Sequence, residues 1–426
     1  MDPLSSVLPY SFMCRLQDAA RPGQPYANPF IHHARIRGQR ARTLVPSTYK
    51  EVERTYAASV NAMDISSEDG RFLLSGGGDG SVVIHGLSNF TESVKQIHPV
   101  VGKVLANSSF AHEFALSACQ FYPHDHGAFT TSGKDGKVKV WDTRKMTPVH
   151  KFTFPLPVID HHMSLLKSAK PLIAAACMDK TIRICDLRTL SSVQTLSGHS
   201  KPVNCVRWSR HAANCLASGG ADGKIALWDV RKARSCLAYL DANNAIPSTD
   251  LNANSLNFAH ESAVVSLEFS ESGTHLVSLG ADHRLRTWST VSGKNTLVNY
   301  GKVEFAFRDL HRHLQLAVTS LASPDLIFVP SRDKILVFDM VSGERLTTLT
   351  AHFQQVLTCA YHPHFQSLFS GATDRSIEMW TPETDFCDIQ EEKEAAKKYQ
   401  MNRWAKRQAC NNITATLTAD TWSDED

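Results

Sequence analysis

The chain has 426 residues, with 45 lysines and arginines against 42 aspartates and glutamates, a formal net charge of +3 and 42% hydrophobic residues. This balance excludes a disordered, collagen-like or strongly DNA-wrapping chain, and the length allows one large domain or two to three ordinary ones. Ten scattered cysteines without a Cys-x-x-Cys pair exclude a dense disulfide scaffold and suit a reducing compartment.

The first residues, MDPLSSVLPYSFMC, lack a basic segment followed by an apolar run, so no signal peptide is expected. No stretch approaches the ~18 apolar residues of a membrane span. Within an N-terminal arm (1–49), SFMCRLQDAA (11–20) suits a short helix, with Phe12 and Leu16 at i, i+4. Arg21, Pro22, Gly23 and Pro25 break it. PFIHHARIRGQRARTLV (29–45) suits a second helix with Ile31 and Ile36 apolar, Arg35, Arg37, Arg40 and Arg42 basic, and Gly38 weakening it. Two readings stay open: a disordered basic tail, or a helix–loop–helix that docks in a partner's groove.

From there a repeat dominates. SGGGDGSVVIHGL (75–87), TSGKDGKVKVWDTR (131–144), ACMDKTIRICDLR (176–188), SGGADGKIALWDVR (218–231), SLGADHRLRTWST (278–290), FVPSRDKILVFDM (328–340) and SGATDRSIEMWTP (370–382) echo one another. Anchored on Asp79, Asp135, Asp179, Asp222, Asp282, Asp333 and Asp374, the spacings are 56, 44, 43, 60, 51 and 41 residues. The short ones match the ~40–45-residue period of four-stranded propeller blades. Asp-Gly marks a tight hairpin, because the turn needs positive φ. Apolar residues three and five places on, such as Val138 and Val140, give the period of two of a half-buried strand.

Four units carry a complete polar set: His112, Thr131, Asp135 and Trp141; His199, Ser218, Asp222 and Trp228; His260, Ser278, Asp282 and Trp288; His352, Ser370, Asp374 and Trp380. A histidine, a hydroxyl and an aspartate invite comparison with a catalytic triad. A triad is needed once, however, and this set recurs at fixed spacing, so a buried structural network is expected instead. AHEFAL and AHESAV lack the second histidine of a zinc motif. His124-Asp-His126 and His362-Pro-His364 are expected in exposed turns, with a weak metal site as the alternative. No catalytic residues, metal ligands or cofactors are expected, and the chain is not expected to be an enzyme.

With Gly198-His199 and Trp228-Asp229 in place, residues 59–382 resemble the WD-repeat family. The resemblance implies an all-β fold, a seven-bladed WD-repeat β-propeller over 50–382. It would carry the helix–loop–helix arm (1–49) before it and a charged, partly helical and finally acidic tail (383–426) after it. Closure by strand exchange is expected, with KEVERTYA (50–57) beside 377–381. Blades one, three and six, with His85, Cys185 and a shortened turn, are expected to have weaker polar networks.

Outside the repeat, Trp-Asp-x-Arg ends a strand at Arg144 and Arg231, and Cys-Asp-Leu-Arg does so at Arg188. Three arginines along one rim suit bidentate contacts with a partner, although a lone one is usually a solvated turn residue. DANNAIPSTDLNANSLNF (241–258) reads as a loop-like insertion. EEKEAAKKYQMNRWAKRQA (391–409) reads as a charged helix, and its Lys397, Lys398, Arg403, Lys406 and Arg407 also suit nuclear import.

VERTYAASVNAMDISSEDGRFLLSGGGDG (52–80), QFYPHDHGAFTTS (120–132), HHMS (161–164), KNTLVNYGKV (294–303) and DTWSDED (420–426) resemble the Cockayne syndrome group A family of WD-repeat proteins. That family supplies substrate receptors of a cullin–RING ubiquitin ligase in transcription-coupled nucleotide-excision repair. The resemblance implies a nuclear protein that meets the damaged-DNA-binding adaptor, and through it the cullin scaffold and RING subunit. Phe12, Arg15, Leu16, Ile31, Arg35 and Ile36 of the arm, with Arg144, Arg188 and Arg231, would form the adaptor contact. The opposite face would meet stalled RNA polymerase II and the Cockayne syndrome group B ATPase. The alternative is a general WD-repeat scaffold or a direct DNA-lesion reader, which would show a basic stripe with aromatics.

Overall fold

The computed structural model describes residues 29–47, 50–88, 96–166, 170–232, 236–244, 258–304, 314–319 and 325–383. The side chains of 29–33 are outside that description, as are Phe12, Arg15, Leu16, the side chain of Ile31, and the tail beyond Glu383.

Seven antiparallel sheets follow one another along the chain, and each is a blade. Blade 2 shows the plan, with strands a to d running outward: Leu116–Phe121, Ala128–Gly133, Lys137–Asp142 and Thr147–Thr153. The other innermost strands are Val60–Ile65, Val158–Met163, Val203–Trp208, Val264–Phe269, Ala317–Val318 and Val356–His362. Each of the seven packs on the next, and the last packs on the first, so the ring is closed. This is the seven-bladed propeller expected. Blade 5 has three strands among the described residues.

The core lies between blades. Leu74, Ile84, Leu116, Phe121, Phe129 and Trp141 form one such layer between blades 1 and 2. The Asp-Gly turns also fit this arrangement. Gly80, Gly136 and Gly223 have φ of 85°, 71° and 77°, and a Cβ there would stand 2.3, 2.7 and 2.4 Å from a carbonyl oxygen of the following loop. No side chain fits. Blades 5 and 7 put His283 and Arg375 in the same left-handed conformation, at φ of 62° and 68°.

Closure differs from the expectation in its strand. Leu44–Pro46 pairs with Ile377–Pro382, in the register Leu44↔Pro382, Val45↔Thr381 and Pro46↔Trp380. Leu44 is buried in the layer that holds Trp380 and Val356. Pro46 ends the pairing on the outer edge, where a missing N–H costs nothing. Lys50–Val52, inside the segment expected to close the ring, pairs in parallel with Gln96–His98 instead. The closing strand therefore lies within residues 1–49, and the arm before it is shorter.

The described arm is one helix, α1, Pro29–Arg42. Ile36 is 7% exposed, and Arg40 donates to Gln366 Oε1 at 2.5 Å. Arg42 pairs with Asp339 at 3.0 Å. The helix thus lies across blades 6 and 7, against their a–b and c–d turns. The expectation that Ile36 is an anchor for a partner is corrected: it packs inside its own chain. No described helix is long and apolar enough to cross a membrane.

Candidate protein-docking site

Four blades hold the polar set at bonding distance. In blade 2, His112 Nε2 lies 2.8 Å from Thr131 Oγ1, His112 Nδ1 lies 3.0 Å from Asp135, and Trp141 Nε1 donates to Thr131 at 2.7 Å. His199, Ser218, Asp222 and Trp228 repeat this in blade 4, at 2.8, 3.1 and 2.7 Å. His260, Ser278, Asp282 and Trp288 do so in blade 5, and His352, Ser370, Asp374 and Trp380 in blade 7. Burial pushes the Asp222 carboxyl up, but the His199 hydrogen bond and the amides of Ser200 and Lys224 outweigh it and leave it at about 2. Burial lowers the pKa of His112 and His260 despite their aspartates. Each hydroxyl is enclosed between histidine and tryptophan, so none is presented to a substrate. The arrangement braces strands.

The three degenerate blades differ from one another. In blade 1 Tyr56 stands where the histidine would, and His85 takes the tryptophan place, with Nε2 3.2 Å from Glu53 O. Burial lowers the His85 pKa to about 4. Blade 3 replaces the set with Ala175 and Cys185, both buried, and Asp179 bonds Thr181 and Arg183. Blade 6 turns on Arg332 and Asp333 alone, with Ser331 paired to Lys334, and fills the tryptophan place with Phe338.

A second regularity was not drawn from the sequence. The fifth residue of an inner strand reaches across to the next blade. Asp64 accepts from the Phe121 amide at 2.7 Å, Gln120 from Met163 at 2.7 Å and His162 from Trp208 at 3.0 Å. Arg207 donates to Glu268 at 2.9 Å and to Asp160 at 2.6 Å. Gln315 completes the collar against Met63 and Thr358. These side chains line a central channel of about 420 Å³. Burial raises the Asp64 pKa to about 7 despite the Phe121 amide. The signal was legible as a polar residue at one repeated strand position.

The rim arginines occupy equivalent turns. Asp142, Asp186 and Asp229 each accept the amide two residues on, from Arg144, Arg188 and Arg231, at 2.8, 2.8 and 3.0 Å. The three arginines are exposed on the c–d turns of neighbouring blades 2, 3 and 4. Arg231 forks onto its own Asp229 at 3.1 and 2.9 Å, which holds that carboxyl at about 2. Arg188 stands 3.7 Å from Asp186. The Arg144 side chain makes no ion pair among the described residues and is the most available of the three. Exposed Arg35 sits on α1, at this same end of the propeller.

His362 is not in an exposed turn. It is fully buried at the end of its strand, bonds Gly70 O at 2.8 Å and accepts from the Phe365 amide. Gly70, at φ 64°, leaves it room, since a Cβ would stand 2.5 Å from the ring. His126 is half-exposed, 3.6 Å from Glu68 and 3.9 Å from Asp69. Glu68, Asp125 and His126 offer donor atoms within 4.8 Å of one another in a largely exposed polar cluster. His124 packs edge-on against Tyr122 instead.

Comparison with known proteins agrees with this architecture. A family model described as WD domain, G-beta repeat matches residues 50–85, 104–142, 190–229, 254–289 and 343–381. The chain is similar to the WD repeat-containing protein ATCSA-1 of Arabidopsis thaliana, at 28% identity over 84% of this chain and 93% of that protein. It is 25% identical to the nuclear distribution protein nudF of Aspergillus niger, over 63% of this chain and 60% of the other. Radiation-sensitive protein 28 of Saccharomyces cerevisiae is 23% identical over 47% of this chain and 43% of its own length. Propellers of this kind are typically non-catalytic scaffolds.

Proposed function

This chain is a WD-repeat protein, and from that premise we propose that it is the substrate-recognition subunit of a cullin–RING ubiquitin ligase acting in transcription-coupled nucleotide-excision repair. The observation that carries the reading is the placement of Arg144, Arg188 and Arg231 on equivalent turns of three neighbouring blades, at the end where α1 also lies. Two similarities support it: the resemblance to the Cockayne syndrome group A family, and the likeness to the plant protein ATCSA-1 over most of both chains. The arginine end docks the damaged-DNA-binding adaptor, which holds the cullin scaffold and RING subunit. The other end recruits stalled RNA polymerase II and the Cockayne syndrome group B ATPase. The protein works in the nucleus, performs no chemistry itself, and positions lysines of its targets before a conjugating enzyme.

Co-purification with the adaptor tests this. Truncation must stop before Leu44, which seals the ring. Deleting residues 1–28, or combining Arg144→Ala, Arg188→Ala and Arg231→Ala, is expected to lower adaptor recovery at least ten-fold at unchanged thermal stability. Full recovery with both changes overturns the adaptor-docking reading.

A further inference from the structure

We propose that blades 2 to 4 carry, at the end opposite the arginine rim, a docking stripe for an acidic peptide segment with aromatic or aliphatic side chains. The stripe is built from Phe114, Lys134, Leu156, Met178, Lys180 and Lys201. Phe114, Leu156 and Met178 are 61, 41 and 40% exposed. The three lysines are exposed, and none makes an ion pair among the described residues.

Backbone contacts make the stripe continuous. The Lys134 amide bonds Ala115 O, next to Phe114, at 3.0 Å. The turn at Gly136 lies under Leu156 O, 3.1 Å from where a Cβ would be. The Met178 amide bonds Pro157 O at 2.8 Å, and the Val203 amide, two residues after Lys201, bonds Asp179 O at 3.1 Å. The carboxylates along the way are already engaged. Asp135 bonds His112, Asp179 bonds Arg183 and Thr181, Asp222 bonds His199 and Ser200, and Glu113 bonds Lys137. Asp179 and Glu113 are matched by Arg183 and Lys137, and the Asp135 and Asp222 carboxylates are nearly buried beneath the surface, so the three exposed lysines leave the stripe with an excess of positive charge beside three apolar side chains.

That pattern complements a segment in which carboxylates alternate with apolar residues. Apolar contact gives burial, and the lysines select the sign of charge. Neighbouring sheets pack ~10 Å apart, so crossing three blades takes about 20 Å, or roughly six extended residues at ~3.3 Å each. A nucleic-acid strand fits less well. Only one of the three apolar side chains is aromatic, and stacking of successive bases needs a row of them.

The inference rests on the receptor reading only for the source of the segment. The experiment is selection from a library of nine-residue peptides randomised over Asp, Glu, Phe, Leu, Ser and Lys, displayed against the immobilised full chain. Asp and Glu together with Phe and Leu are expected to be enriched. Selected peptides are expected to bind at least ten-fold more weakly to the Lys134→Glu, Lys180→Glu, Lys201→Glu variant and to the Phe114→Ser, Met178→Ser variant. Arg375→Glu, on blade 7, is expected to bind them as before. All these residues are exposed, and melting curves check that every variant is folded. No acidic enrichment, equal binding by the reversed variant, or tighter binding of a single-stranded 20-mer DNA overturns the proposal. Loss of adaptor recovery with peptide binding intact, or the converse, separates this surface from the adaptor reading.

Discussion

Tyr56 donates its hydroxyl hydrogen to Ser75 Oγ at 2.5 Å, from the place 23 residues before Asp79 that histidine holds in blades 2 and 4. Ser75 in turn donates to Val83 O at 3.2 Å. Burial raises the phenol pKa well above its usual value, so the group remains a donor at any physiological pH. Tyr56→Phe removes one buried partner and is expected to cost about 1–2 kcal/mol. Urea denaturation should show a lower midpoint at constant slope. An unchanged midpoint would show that blade 1 stands without this bond.

Asp222→Ala tests the complete set. It leaves His199 Nδ1 without its carboxylate and frees the Ser200 amide. A loss of about 1–3 kcal/mol is expected, without selective loss of any one binding activity. Thermal melting beside adaptor recovery separates the two effects.

Arg207 is the buried cation of the channel collar, held between Asp160 at 2.6 Å and Glu268 at 2.9 Å. Arg207→Met strands Asp160, leaves Glu268 with Arg210 alone at 3.5 Å, and is expected to cost about 3–5 kcal/mol. Adding Asp160→Asn should recover part of that loss, because it removes one stranded charge. A double-mutant cycle by chemical denaturation measures the coupling. Zero coupling would mean that the arginine packs without pairing.

Acid sensitivity follows from buried histidines. Burial lowers His85, His98, His161 and His362 to about 4, and lowers His162 further. Their folded pKa lies below the unfolded value near 6.5. Their stabilising contribution is therefore full above pH 6.5 and is lost as pH falls toward 4. Asp64, raised to about 7, and Asp325, raised to about 6, act in the opposite sense, since they stay protonated in the folded state. The histidines outnumber them, so unfolding at pH 5.5 should take up roughly three protons net from these groups. Melting temperature measured from pH 7.5 to 5 is expected to fall steadily. A flat profile would place these rings in contact with water.

Much of this was legible because repetition turns weak local signals into a strong one. Asp-Gly turns, alternating strands and the four polar sets are short-range patterns, and each recurs at fixed offsets from one aspartate. Tyr56 breaks the histidine pattern at that offset, although its phenol donates to the serine that a histidine would otherwise meet. The closing strand was misplaced for a different reason. Leu44–Pro46 and Lys50–Val52 are both three-residue strands with one buried apolar residue, so nothing local ranks one above the other. Pairing with the far end of the chain decided between them. Ile36 was misjudged because an apolar stripe on a helix announces burial without saying against what.

The register Leu44↔Pro382 joins residues 338 positions apart. During synthesis the ring therefore stays unlatched until its last blade has left the ribosome, and the early strand must wait unpaired. Chains interrupted anywhere before that point would show an open β edge, ready to pair with other chains. Latching is the step that covers the open edge of the last blade. Premature-stop products that lack only the final blade should be cleared by quality control rather than persist as partly working proteins.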